Sequence, residues 1–191
     1  MQLRNTPDRY GAIAQAFHWI IVILIIVQFT LGIIGSDLPL GMQRLVVLSR
    51  HKSIGMTILM LVILRLAWRL LNTVPRLPAA MPRLEQRLAH GTHRLFYVLL
   101  IAMPIVGWIS SSASNLSVSW FGLFVFPDLV GTDKVLAELA KEVHKTLAWI
   151  LLATVVLHVA AALRHHFVKK DGILLRMLPG RGRGADKGAP C

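Results

Sequence analysis

The chain has 191 residues, 55% of them apolar and only 16% charged, with a formal net charge of +12. So little charge on so long a chain argues against an ordinary soluble domain, and the basic residues lie between and after the apolar blocks, which argues against nucleic acid and for membrane orientation. The single cysteine, Cys191, is the last residue, so a disulfide framework, a cysteine zinc site and covalent haem attachment through Cys-x-x-Cys-His are all excluded.

Four apolar blocks follow one another. The first spans about 12–35; it is longer than the roughly 7–15 apolar residues of a signal peptide and reads as a retained helix. The second spans about 51–71 and is followed by a turn-rich linker with Pro75, Pro78 and Pro82. The third spans about 93–112 and contains Pro104, which a membrane helix tolerates as a kink. A long loop, Ser114 to Val143, comes next. Its stretch from Trp120 to Pro127 is too short to cross a bilayer and is expected to lie flat at the interface. The fourth block spans about 144–167. Each block approaches the roughly 20 residues that span hydrocarbon, where backbone groups must pair within the segment. The expectation is an all-α membrane protein: a four-transmembrane-helix bundle over 1–179, then a disordered basic tail over 180–191.

Basic residues set the orientation. Arg4 and Arg9 precede the first helix; Arg65, Arg69, Arg76, Arg83, Arg87 and Arg94 surround the second linker; Arg164, Lys169, Lys170 and Arg176 belong to the C-terminal segment at and beyond the end of the fourth helix. The third loop instead carries Asp128, Asp133, Glu138 and Glu142. The positive-inside rule then places both termini in the cytoplasm.

Eight histidines in so apolar a chain need a reason, because polar groups inside a bilayer are expensive and usually functional. His144 and His158 are fourteen positions apart, which puts them on one helix face about 21 Å apart in height. Matching depth pairs His158 with His18 on the cytoplasmic side and His144 with His51 on the outer side. Facing side chains of this kind build cofactor sites in bundle cores. Two imidazoles per level are too few for zinc, which takes four ligands, but suit a six-coordinate haem iron. Ala14, Gly55, Gly107, Ala148, Thr154, Ala161 and Ala162 leave room for a macrocycle. Two non-covalent haem b groups with no open coordination position point to electron transfer across the membrane. The competing reading is a haem-free protein whose histidines hydrogen-bond between helices.

Several stretches together resemble the bacterial cytochrome b561 family, in the branch that includes superoxide oxidase. They are Ala16-Phe17-His18-Trp19, His51-Lys52-Ser53-Ile54-Gly55, Leu88-Ala89-His90-Gly91-Thr92-His93, Ala102-Met103-Pro104-Ile105-Val106-Gly107, His144-Lys145-Thr146-Leu147-Ala148, and the run from Leu157 through His165 to Pro179. The resemblance covers nearly the whole chain. It implies a bacterial inner-membrane protein with haem irons held by His18 with His158 and by His51 with His144. It also implies a reaction in which periplasmic superoxide gives its electron to the outer haem, and the inner haem reduces ubiquinone near His93 and His165. Arg50, Lys52, Arg44, Lys141 and Lys145 form a basic rim suited to drawing in a small anion. Arg65 and Arg69 are placed to pair with haem propionates. An electron-transfer subunit serving a partner dehydrogenase or hydrogenase is the alternative function.

Overall fold

The computed structural model describes residues 2–78 and 81–180. Its elements are α1 (Ala12–Asp37), α2 (Met42–Leu71), α3 (Arg83–Ala113), a hairpin of β1 (Val118–Trp120) and β2 (Phe124–Phe126), and α4 (Lys134–Arg164). A π-helical turn, His165–Lys169, and a short 3-10 turn, Leu174–Arg176, close the chain. Ala79 and Ala80 of the second linker, and the expected tail beyond Gly180, lie outside the described residues.

All four helices are long and apolar enough to cross a membrane. Their outward faces keep Ile23, Ile26, Val98 and Leu157 more than half exposed, where acyl chains rather than water are the compatible solvent. α1 packs on α2, α2 on α3 and α3 on α4. Inside, Ile21, Ile58 and Val62 join α1 to α2, and Leu99, Met103 and Leu151 join α3 to α4.

One end of the bundle, the termini end, gathers the described segments that lead to the two termini. Gln15 Nε2 donates to the Arg176 carbonyl (3.2 Å), Trp19 Nε1 to that of Met177 (2.9 Å) and Arg9 Nη2 to those of Leu178 (2.8 Å) and Gly180 (2.7 Å). The α2–α3 linker joins this layer: Asn5 Nδ2 donates to the Thr73 carbonyl (2.8 Å) and Arg176 to that of Arg76.

Three helices begin earlier than hydropathy alone predicts. α2 starts at Met42, not near 51; α3 at Arg83, not near 93; α4 at Lys134, not near 144. Apolar runs mark the part of a helix that crosses lipid, whereas the amphipathic turns beyond it are held by helix propensity and caps. At α4 the cap is Asp133, whose carboxylate accepts from the backbone N–H groups of Val135 (2.9 Å) and Leu136 (3.0 Å). His51, His93 and His144 are therefore nine to ten residues inside their helices instead of at the starts. The long loop shrinks to 114–133.

The stretch expected to lie flat folds into the hairpin and caps the end opposite the termini. Its turn uses positive φ at Phe121 (50°) and Gly122 (76°), as tight hairpin turns require. Val118 is 2% exposed and packs on Met56 and Leu59 of α2. The buried Ser53 hydroxyl accepts from the Phe121 N–H (3.1 Å) and donates to the Ser119 carbonyl (2.9 Å), while Trp120 Nε1 donates to Thr57 Oγ1 (3.0 Å). Ser53→Ala leaves two hairpin groups unpaired, so it should cost about 1–3 kcal/mol. Thermal unfolding in detergent would register this as a lowered midpoint; an unchanged midpoint would mean that the hairpin is held by Val118 packing alone.

Candidate functional site

The histidines fall into two levels. Near the hairpin end, the rings of His51 on α2 and His144 on α4 face each other with centroids 6.1 Å apart. Near the termini end, the rings of His18 on α1 and His158 on α4 are 6.4 Å apart. These are the pairs that depth matching selects. Neither pair is joined by a hydrogen bond among the described residues, and no group of three or more His, Cys, Asp or Glu suited to a metal ion occurs among them.

Glycines make room for the upper pair. A Cβ at Gly107 on α3 would stand 3.1 Å from both Cε1 and Nδ1 of His144, and one at Gly32 on α1 would stand 3.3 Å from Cε1 of His51. Each helical hairpin thus uses a glycine of its first helix to seat a histidine of its second. Gly32 escapes sequence reading because its partner lies nineteen positions away, on another helix. Ala161, counted above among residues leaving room, lies instead on the exposed face of α4.

Ring hydrogen bonds fix tautomers. His144 Nδ1 lies 2.9 Å from the Met103 carbonyl. A carbonyl only accepts, so Nδ1 carries the proton and Nε2 keeps its lone pair. At the other level Arg65 Nη1 donates to His18 Nδ1 (3.1 Å), because a guanidinium cannot accept.

The two remaining predicted residues separate. His93 on α3 joins the lower pair, its ring 5.8 Å from that of His158, which also meets Phe96 at 5.3 Å. His165 enters an ionic cluster: its Nδ1 is 2.5 Å from Asp171 Oδ2 and its Nε2 is 3.9 Å from Glu85 Oε2. Glu85 also takes Lys169 (2.5 Å) and Arg164 (3.4 Å). The sequence shows Glu85 only as a lone acid among arginines; its partners lie some eighty positions away. The π-helical turn supplies Lys169 and His165 to this cluster, and such turns recur at functional sites. His90 is exposed, and His166 packs on Phe167 (4.8 Å).

Of the basic residues near His51 and His144, Lys141 is paired with Glu138 (3.3 Å) and Lys52 Nζ donates to the Ser117 carbonyl (3.3 Å). Arg50 and Lys145 remain exposed.

Four membrane helices enclosing opposed imidazoles define a helical membrane protein of the cofactor-binding bundle class. The particular family follows from comparison: the chain belongs to the prokaryotic cytochrome b561 family, whose sequence model matches residues 9–180. It is 36% identical to cytochrome b561 homolog 2 of Escherichia coli K12, over 93% of this chain and 95% of that protein. It is 33% identical to a probable superoxide oxidase, CybB, of Yersinia pestis, over 90% of this chain and 96% of that protein. Cytochrome b561 homolog 1 of the same E. coli strain is 27% identical over 91% of this chain. The protein is thus a multi-pass inner-membrane cytochrome that binds haem b and transfers electrons.

Proposed function

We propose that this cytochrome is a superoxide:ubiquinone oxidoreductase with two b haems, one held by His51 and His144 and the other by His18 and His158. The observation that carries the ligand assignment is the pair of imidazole separations, 6.1 and 6.4 Å. A metal bonded to both rings at about 2 Å per bond needs ring centres about 6 Å apart. The glycine seats at Gly32 and Gly107 and the Nδ1 proton of His144 support the same reading. The likeness to a probable superoxide oxidase supports the substrate. The positive-inside pattern puts the termini end in the cytoplasm and the hairpin end in the periplasm. The membrane domain is taken to end near residue 179.

His51 with His144 and His18 with His158 would hold haem b at the two levels, where it would supply a one-electron centre. The chain's own residues do the rest. Arg50 and Lys145, exposed at the hairpin end, attract the superoxide anion. For His18 to offer Nε2, Arg65 has to exchange the imidazole for another acceptor, and a haem propionate is a carboxylate of the kind that guanidinium prefers. At the termini end, His93 and the His165–Asp171 pair are the groups able to hand protons to a reduced quinone. The reaction balances: two superoxide anions each lose one electron and leave as dioxygen, and one ubiquinone takes both electrons and two protons to become ubiquinol.

The test is stopped-flow superoxide consumption by the purified protein with a soluble ubiquinone. Superoxide should disappear faster than it dismutates spontaneously, with one ubiquinol formed per two superoxide consumed. No acceleration in a preparation carrying both haems would reject superoxide as the donor. A requirement for an added dehydrogenase or hydrogenase would favour an electron-transfer subunit instead.

A further inference from the structure

His144 has a backbone acceptor at Nδ1, whereas His51 has none. Its Nδ1 is buried and meets no hydrogen-bond partner among the described residues. Ligating histidines nearly always donate that second N–H, which fixes ring orientation and raises the electron-donating power of the ligand. A second buried polar atom without a partner is Oε1 of Gln28 on α1. Gln28 is already beside His51: its Nε2 donates to the His51 main-chain carbonyl at 3.0 Å. It sits there because Gly55 carries no side chain, since a Cβ at that position would stand 3.1 Å from Gln28 Nε2. An unpaired buried ring nitrogen and an unpaired buried carboxamide oxygen thus belong to two residues in contact, and each costs free energy as it stands.

We propose that Gln28 is the positioning residue of the periplasmic haem ligand: its carboxamide oxygen accepts the His51 Nδ1 proton after a small turn of the ring or amide, leaving Nε2 for the iron. The inference rests on the haem reading of His51 above. It makes α1 contribute to both levels, through His18 at one and through Gln28 and Gly32 at the other. The two periplasmic ligands then each have an oxygen acceptor, the Met103 carbonyl for His144 and the Gln28 side chain for His51. An alternative in which Gln28 merely clamps α1 to α2 through its Nε2 bond predicts no effect on the electronics of the metal.

The experiment is an optical redox titration of wild type, Q28L, Q28M and Q28E, with haem counted per chain in each. His158→Ala identifies which titration component is periplasmic. Loss of the acceptor weakens electron donation by His51, so Q28L and Q28M should shift the periplasmic component to higher potential. Q28E, a stronger acceptor, should shift it lower, with the cytoplasmic component unmoved in all three. Q28M serves the same purpose if Q28L fails to assemble. Unmoved potentials in variants with two haems would overturn the role of Gln28 and leave the haem assignment intact. Shifts of one sign in all variants would overturn it too, since they would report repacking. A wild type with fewer than two haems would instead defeat the underlying ligand assignment, and the inference with it.

Discussion

Replacing His158 with alanine should halve the haem content, leaving one haem per chain and a protein that no longer reduces ubiquinone. Under the ligand assignment His158 is one of two axial ligands of the cytoplasmic haem, and the site offers little to replace it. Its ring lies between His18 at 6.4 Å and His93 at 5.8 Å. An alanine there leaves a gap bordered by Phe96, which cannot ligate. Among the described residues His93 is the further imidazole beside this pair, 5.8 Å from His158, so the double variant His93→Ala/His158→Ala removes it as a substitute ligand. The counterpart His144→Ala should remove the periplasmic haem and abolish superoxide consumption. Pyridine haemochrome per chain reads both outcomes, and two haems retained in His144→Ala or in the double variant would refute the assignment.

Filling the seat of His144 should have nearly the same consequence without touching a ligand. In Gly107→Val the new Cβ stands 3.1 Å from two atoms of the His144 ring. That is closer than comfortable contact, and the branched methyls add to it. One of those two atoms, Nδ1, is also the one bonded to the Met103 carbonyl, a turn earlier on α3, so the ring cannot yield without losing that bond. Overpacking a helix interface typically costs about 1–3 kcal/mol. Here the strain falls on a ligand that must stay within tenths of an ångström of its bonding position. We expect loss of the periplasmic haem, with the cytoplasmic one retained because its pair lies about 21 Å further along α4. Gly107→Ala should lower periplasmic haem occupancy only in part. A Gly107→Val protein that keeps both haems with an unaltered spectrum would show that the seat is looser than the contacts imply.

Much of the architecture was legible before folding was considered. Apolar runs of about 20 residues have one stable solution in lipid, so the four helices could be read directly. The fourteen-residue spacing of His144 and His158 fixes them on one face by helix geometry alone, and depth then selects their partners. The helix ends were not legible from hydropathy, because Met42–Arg50, Arg83–Thr92 and Lys134–Val143 are held by local propensity, with a side-chain cap at the last of them. Asp133 ahead of Lys134-Val135-Leu136 was the available signal for α4.

By itself, then, the sequence determined the number of spans, the heights of the four paired histidines and the lack of a Cys-x-x-Cys-His motif. Each of these is a local quantity, set by rise per residue, by run length or by residue type. Only the tertiary structure decided what surrounds those imidazoles: Gly32 and Gly107 as seats, Met103 and Arg65 at the ring nitrogens, Gln28 beside His51, and Glu85 gathering the end of α4. Those contacts join residues far apart in the chain. Which of them form depends on how neighbouring helices rotate against one another, and a single strand of residues does not encode that rotation at any one position.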